Sequence, residues 1–259
     1  MWQHRDAVIV FAAGNDGSDG NGNGLVDAGS VGSPGTAKNC ITVGASENDR
    51  PDFYYTGGGA NIASYGDAWP NDFPVDPLRT DKFADNPQGL AAFSSRGPTS
   101  DGRIKPDVVA PGTAILSTRS RAVGVGEGWG LTQDPLFFYE GGTSMATPLV
   151  AGCAAVVRQF LRKQGKTPSA ALVKAVLINT AQDLSGQYPG ESRSLPNVNE
   201  GFGRVDLAAG VAALADARVF EAWDEGTSLD TGEEQSFRVA LPKPASQVKV
   251  TLVWTDPPG

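Results

Sequence analysis

Short apolar runs separated by long polar and glycine-rich stretches dominate the first half of the chain. The runs at residues 8–13 and 40–45 are continuous and rich in β-branched side chains, a pattern typical of strands buried on both faces of a parallel sheet. Similar but weaker runs predict further strands near residues 90–95, 108–110 and 114–117. The pattern therefore predicts a buried parallel sheet.

The second half of the chain changes to helical spacing. Apolar residues recur on one face over residues 144–163 and 169–180, and a glycine-rich turn leads into a shorter helix within residues 201–214. Residues 49–88, rich in glycine, proline and aromatic side chains, follow neither period. Strands flanked by such helices predict an α/β fold.

From about residue 218 the pattern changes once more. Residues 236–241 and 249–254 combine β-branched and aromatic side chains and are separated by turn residues, as in strands of a β domain. We therefore divide the chain into an α/β domain over residues 1–217 and the incomplete start of a β domain over residues 218–259.

The composition argues against several classes of function. The chain has 259 residues, 40% of them hydrophobic, which is ordinary for a packed α/β core. Its formal net charge of −8 disfavours nucleic acid and anionic membranes as partners. We see no signal peptide and no apolar run near the ~18 residues of a membrane span. Cys40 and Cys153 are expected to be buried free thiols.

The segment EGGTSMATPLVAG, residues 140–152, places Ser144 between two glycines and an apolar helical run. Ser144 should therefore lie at a helix N-terminus, where unpaired amides and the helix dipole favour negative charge. That setting suits a serine alkoxide and the oxyanion of a tetrahedral intermediate. The alternative interpretation is that Thr143 or Ser144 only caps the helix.

A second candidate residue ends the first strand. The segment VIVFAAGN, residues 8–15, has the pattern of a buried parallel strand that brings Asn15 to its carboxyl end. Ligands bind at that edge of open α/β sheets. On its own, Asn15 is better explained as a turn residue at the end of a strand.

A third segment, AAFSSRGPTSDGRIKPDVVAPG at residues 91–112, completes a pattern. In order and spacing the three segments resemble the subtilases, the subtilisin-like serine peptidases. They are most similar to the large extracellular alkaline proteases with a C-terminal β-barrel. The resemblance implies a partial subtilisin-like parallel sheet flanked by helices, followed by the first strands of a β-barrel or jelly-roll domain.

The resemblance also implies roles for single residues. Ser144 matches the nucleophile, and Asn15 matches the asparagine whose amide donates to the oxyanion beside the serine N–H. Gly14, Gly32 and Thr143 match substrate-binding positions, with Gly32 at the floor of a roomy pocket for large apolar P1 side chains. A cis peptide bond before Pro34 is a further expectation from the same family.

The catalytic acid and base of the family precede the oxyanion asparagine in the chain. The one histidine here, His4, has none of the family's surroundings for a catalytic histidine. It precedes the strand that ends near Asn15, and at ~3.3 Å per extended residue it should lie roughly 20 Å or more from that edge. We therefore expect the chain to supply the nucleophile and oxyanion hole without the catalytic Asp and His.

Three interpretations of function follow from this incomplete triad. The first is a subtilase-type endopeptidase acting on peptide or ester substrates and completed by an N-terminal catalytic segment. The second is a non-catalytic scaffold, and the third is a weak esterase acting through the serine and oxyanion hole alone. The resemblance also implies an extracellular parent protein. The strand at residues 8–13 is expected to form an edge of the sheet, through which the chain self-associates.

The loop after the first strand has a metal-binding pattern. Asp19, Asn21, Asn23 and Asp27 occupy positions 1, 3, 5 and 9 of an EF-hand-like calcium loop, although Ser30 stands where a bidentate glutamate belongs. Alternating oxygen ligands suit a hard cation, so structural calcium is one interpretation. A solvated Asn/Gly loop is the other.

Overall fold

The computed structural model describes residues 3–57, 60–122, 126, 128–192, 194–217, 220–224, 226, 229–239 and 248–257. The strands are β1 (Val10–Ala12), β2 (Ile41–Ser46), β3 (Tyr55–Gly57), β4 (Ala60–Ile62), β5 (Val108–Pro111), β6 (Ile115–Thr118), β7 (Gly130–Leu131) and β8 (Phe137–Glu140). The helices are α1 (Tyr65–Ala68), α2 (Thr143–Lys163), α3 (Ala170–Asn179) and α4 (Leu207–Ala215).

A parallel sheet of three strands lies at the centre of the fold, in the order β1-β2-β5. Val10 pairs with Ile41, and Val43 pairs with Val108. All six residues of β2 are buried, since this strand is central and both of its faces are covered. The parallel sheet predicted from the apolar runs is confirmed.

The long helix α2 packs across this sheet and against α3 and α4. Its apolar face is buried in the core through side chains that include Ala146, Val150 and Leu161. By length and composition alone α2 could cross a membrane, so the expectation of no such run was wrong. Its buried positions pack into the core, and the helix contacts the parallel sheet, α3 and α4. The α/β domain also holds both cysteines as free thiols, Cys40 buried and Cys153 half-buried.

Side-chain caps begin the two helices that follow. The Ser169 hydroxyl accepts a hydrogen bond from Leu172 N–H at the start of α3, and the Asp206 carboxylate accepts one from Ala209 N–H at the start of α4. Such caps satisfy amides that have no partner inside the helix. The helices expected within residues 169–180 and 201–214 are confirmed.

Two strand predictions need correction. Residues 90–95 form no strand, because Ser94 N–H turns back to Ala91 O at 2.9 Å. The run at residues 114–117 does form a strand, β6, but it pairs antiparallel with β8 in a separate sheet. The first difference comes from a local turn, and the second from a pairing partner about twenty residues away, which the apolar run at residues 114–117 does not contain.

The stretch at residues 49–88 folds over the carboxyl edge of the parallel sheet. It contributes the β3–β4 hairpin, the short helix α1 and most members of an aromatic cluster. Neighbouring ring centroids in this cluster lie 5.1–6.4 Å apart. The cluster consists of Phe53, Tyr55, Tyr65, Trp69, Phe73, Phe83, Phe93, Trp129 and Tyr139.

The described part of the last forty residues contains no strand. Residues 236–239 and 249–254 are unpaired, and residues 240–241 of the first predicted strand lie outside the described residues. Thr251 accepts a hydrogen bond from Asn179, while Leu252 stays exposed. A strand needs a neighbouring ladder, and the described part of these segments has none. The β domain over residues 218–259 stays a prediction.

Candidate active site

The loop after β1 is held by the first residues of the third motif. Ser95 N–H donates to Gly14 O at 2.9 Å, and Asp16 N–H donates to the Ser95 hydroxyl at 3.1 Å. Gly14 has φ +112°, and a Cβ on it would lie 2.7 Å from Ser95 Oγ. Glycine is therefore required here, and these contacts fix Asn15 at the carboxyl end of the sheet.

Asn15 is joined to the start of α2 by two hydrogen bonds. The Thr143 N–H and the Thr143 hydroxyl both donate to Asn15 Oδ1, each at 2.9 Å, although the residues are 128 positions apart. The amide oxygen is thereby turned toward the helix. Asn15 Nδ2 faces Gly142, where a Cβ would lie 3.2 Å away, and it donates to no group among the described residues.

Ser144 follows as the second residue of α2 and is exposed. Within the described part of the chain, its hydroxyl and its N–H have no hydrogen-bond partner. Pro148 has no N–H for the Ser144 carbonyl, so the turn at this serine is less constrained by helix hydrogen bonds. The site therefore combines an accessible hydroxyl with two amide donors, those of Ser144 and Asn15.

Gly32 lies beside this arrangement. Its N–H donates to Ala13 O at 3.2 Å, which places it against the end of β1. A Cβ added to Gly32 would meet nothing within 4 Å. The Ser33–Pro34 peptide bond, which follows Gly32, is cis, as the resemblance to the subtilases predicts. The structure thus brings together all five residues predicted for catalysis and substrate binding, with open space at Gly32.

A second space adjoins the site on the side of Asn15 and Gly142. This cavity of about 180 Å³ is walled largely by residues that the sequence reasoning did not select. The many aromatic side chains in residues 49–88 were the one signal in the sequence for these lining residues, but they did not show which of them line a cavity. The lining residues are Asn15, Gly17, Trp69, Asp72, Phe73, Phe93, Trp129, Gly141 and Gly142.

His4 lies far from the candidate site. Its carbonyl accepts a hydrogen bond from Ala7 N–H, and the intervening Asp6 forms a salt bridge with Arg158 at 3.1 Å. Arg158 is fourteen residues beyond Ser144 on α2, which is about 21 Å along the helix axis. The N-terminal turn with His4 thus packs near the opposite end of this helix.

The candidate calcium loop is closed by its own hydrogen bonds. The buried Asp19 carboxylate accepts from Asn23 and Gly24 N–H at 2.9 and 2.8 Å. The Asp27 carboxylate accepts from Gly20 N–H at 2.8 Å and from the Asn21 amide. The four predicted ligands are close together, but each carboxylate already binds amide donors. Calcium would have to share these oxygens, so its binding remains a prediction.

A separate group of carboxylates lies under the aromatic cluster. Ligand oxygens of Glu47, Asp81 and Asp85 lie within 4.8 Å of one another. Burial raises the pKa of Glu47 well above its usual range, with the Asp81 charge as a further cause. Burial also raises the pKa of Asp81 to about 8, helped by Glu191. These shifts favour the protonated forms of Glu47 and Asp81.

The chain is similar to known proteins over most of its length. The profile described as Subtilase family matches residues 1–203. Serine protease/ABC transporter B family protein tagD of Dictyostelium discoideum is 31% identical over 226 residues, covering 67% of this chain and 12% of that protein. Pyrolysin of Pyrococcus furiosus is 33% identical over 200 residues, covering 77% of this chain and 12% of that protein.

A solved structure, that of the CspB protease of Clostridium perfringens, matches with a TM-score of 0.45 and 26% identity. The match covers 74% of this chain and 30% of that one. This chain therefore spans only a small part of the length of the proteins it matches.

Proposed function

Because the chain belongs to the subtilase family, we propose that it is the nucleophile-bearing part of a serine endopeptidase. In this proposal the Ser144 hydroxyl oxygen attacks the carbonyl carbon of a peptide or ester, and its proton passes to the base of the N-terminal catalytic segment or to water. The carbonyl oxygen becomes an oxyanion that accepts hydrogen bonds from Ser144 N–H and Asn15 Nδ2. The start of α2 adds the positive end of a helix dipole to the same place. The C–N or C–O bond then breaks, the amine or alcohol leaves with a proton, and water hydrolyses the acyl-serine ester.

One observation carries this proposal. The paired hydrogen bonds from Thr143 to Asn15 Oδ1 orient the asparagine amide, so that its nitrogen is left to serve as a donor. Asn15 is exposed, so this nitrogen is accessible to the carbonyl oxygen of a bound substrate. The free nitrogen lies beside an exposed serine at a helix N-terminus, which favours a catalytic role over a scaffold.

In this proposal the acid and base of the triad come from an N-terminal catalytic segment and not from the described residues. His4 is the single histidine of the chain and packs toward the far end of α2. Without a base, attack on an amide is slow. In a subtilisin stripped of its triad, roughly 10³–10⁴-fold acceleration over water persists. Activated esters are therefore the substrates expected for this chain alone. That the parent protein acts outside the cell stays a prediction from the resemblance.

Hydrolysis of a p-nitrophenyl ester and of a peptide p-nitroanilide by the purified chain tests this function. We expect slow ester hydrolysis that Ser144→Ala abolishes, and amide hydrolysis near the background rate. Supplying the N-terminal segment of a full-length relative should raise both rates. Ser100→Ala, which changes an exposed serine in a turn, is the matched control. Ester hydrolysis unchanged in Ser144→Ala would contradict the proposal.

A further inference from the structure

The cavity beside Asn15 differs in its walls from the open space at Gly32. It is lined by the rings of Trp69, Phe73, Phe93 and Trp129, whose neighbouring centroids lie 6.0–6.4 Å apart. None of its nine described lining residues is basic, and Asp72 is the one with a formal charge. The half-buried Trp69 and Trp129, next to the exposed Asp72, are groups that favour a cation.

The local backbone holds these groups in place. Asp72 and Phe73 both donate their N–H to Trp69 O, at 3.1 and 3.0 Å, so the three residues form one tight turn. The Asp72 carbonyl accepts a hydrogen bond from Asp19 N–H at 2.7 Å. The Asp72 side chain is exposed and has no hydrogen bond or ion pair within the described part of the chain. Its charge is therefore available to a ligand.

Trp129 closes the cavity on the side of the candidate nucleophile. A Cβ on Gly141 would lie 2.1 Å from the Trp129 ring, so the absence of a side chain there lets the ring approach the segment before α2. The cavity consequently reaches Gly142 and Asn15, the residues that flank the oxyanion position. A group bound in it would therefore lie next to Asn15 and Gly142.

We propose that this cavity is a specificity pocket for a cationic side chain, lysine or arginine, at a substrate position other than P1. The proposal rests on the function proposed above. Its volume suits one side chain, since pockets for larger ligands are about 300–1,000 Å³. The aromatic cluster already accepts a cation elsewhere, because the Arg50 guanidinium lies 5.3 Å from the ring centre of Tyr139.

Binding of N-acetylarginine amide and of its neutral isostere N-acetylcitrulline amide tests the pocket without catalysis. Tryptophan fluorescence would report binding at Trp69 and Trp129, and calorimetry at low ionic strength would give the affinity. We expect the arginine compound to bind at least fivefold more tightly. Asp72→Asn should remove most of that preference, and Trp69→Leu should weaken arginine binding, whereas Asp49→Asn, an exposed carboxylate outside the cavity, should change neither.

The outcomes separate this inference from the proposed function. Equal binding of the two compounds, or an arginine preference unchanged in Asp72→Asn, would overturn the pocket whatever the activity. Circular dichroism of each variant checks that the fold is retained. Phe73 is not substituted, because it is fully buried. An intact arginine preference together with ester hydrolysis that survives Ser144→Ala would instead overturn the proposed function and leave a cation-binding pocket.

Discussion

The resemblance to the subtilases predicts that Gly32 lies at the floor of the P1 pocket, and the space beside it is open. Because a Cβ there meets nothing within 4 Å, Gly32→Val should fold normally while narrowing this space. We expect esters with a large apolar P1 residue to lose at least tenfold in kcat/KM, and esters with alanine at P1 to change little. Steady-state kinetics with the two esters measure this ratio. A proportional loss for both would show that Gly32 does not line the P1 pocket.

Asp81 makes stability depend on pH. Its pKa of about 8 in the folded protein, against 3.8 for a free carboxyl, results mainly from burial and then from Glu191 and Asp85. The folded state therefore holds the proton more tightly, and the stability that this proton contributes is fully present below about pH 4 and is lost as the pH rises toward 8.

Asp81→Asn imitates the protonated form and should flatten this decline. Denaturant unfolding at pH 5 and pH 8 measures it, and the difference in unfolding free energy between the two pH values should shrink in the variant. Asp49→Asn, an exposed carboxylate, is the matched control. If the unfolding free energy of Asp81→Asn changes between pH 5 and pH 8 as much as that of the unsubstituted protein, another group causes the pH dependence.

The sequence located single residues where a local motif carried the chemistry. The pattern alone predicted that Ser144 starts a helix and that Asn15 ends a strand, whereas their catalytic roles came only from the resemblance to the subtilases. Trp69, Asp72 and Trp129 could not be placed in this way, because their association depends on the path of residues 49–88 and of the β7–β8 hairpin over the sheet. No local period encodes such contacts, which join positions far apart in the chain.

The loop from Asp19 to Asp27 is the element whose metal binding is still a prediction. If it binds calcium only when folded, stability should rise by RT ln(1 + [L]/Kd), or about 2.7 kcal/mol at a hundredfold excess over Kd. The Tm should rise with calcium and fall with chelator. Asp27→Asn should reduce that rise, whereas Asp49→Asn should not. A Tm insensitive to calcium would favour the hydrogen-bonded loop as a purely structural turn.

Strands and helices were predictable to different degrees. The strands β1, β2 and β5 have continuous apolar runs because the sheet is covered on both faces, and α2 has a clear apolar face. Residues 90–95 have the same composition as a strand, yet they turn beneath the Asn15 loop to hold it. A strand requires a ladder partner as well as a pattern, and the partner is set by the whole fold.

The described parallel sheet ends at β1. Val10–Ala12 is half-buried, contains neither lysine nor proline, and pairs with β2 on one side only. Exposed strand edges of this kind associate readily. We predict that the chain self-associates at micromolar concentration unless an N-terminal partner covers this edge. Sedimentation velocity across a dilution series measures this, and a monomer at every concentration would contradict it.

At the scale of the whole molecule, we propose that Ser144 and Asn15 form one reactive site at the carboxyl edge of the parallel sheet. Stoichiometric labelling with a fluorophosphonate, followed by intact mass and peptide mapping, tests this proposal. We predict a single adduct on Ser144, none in Ser144→Ala, and labelling slowed by about 10²-fold in Asn15→Leu, the usual loss for one oxyanion donor. An adduct on another residue, or an equal labelling rate in Asn15→Leu, would contradict the proposal.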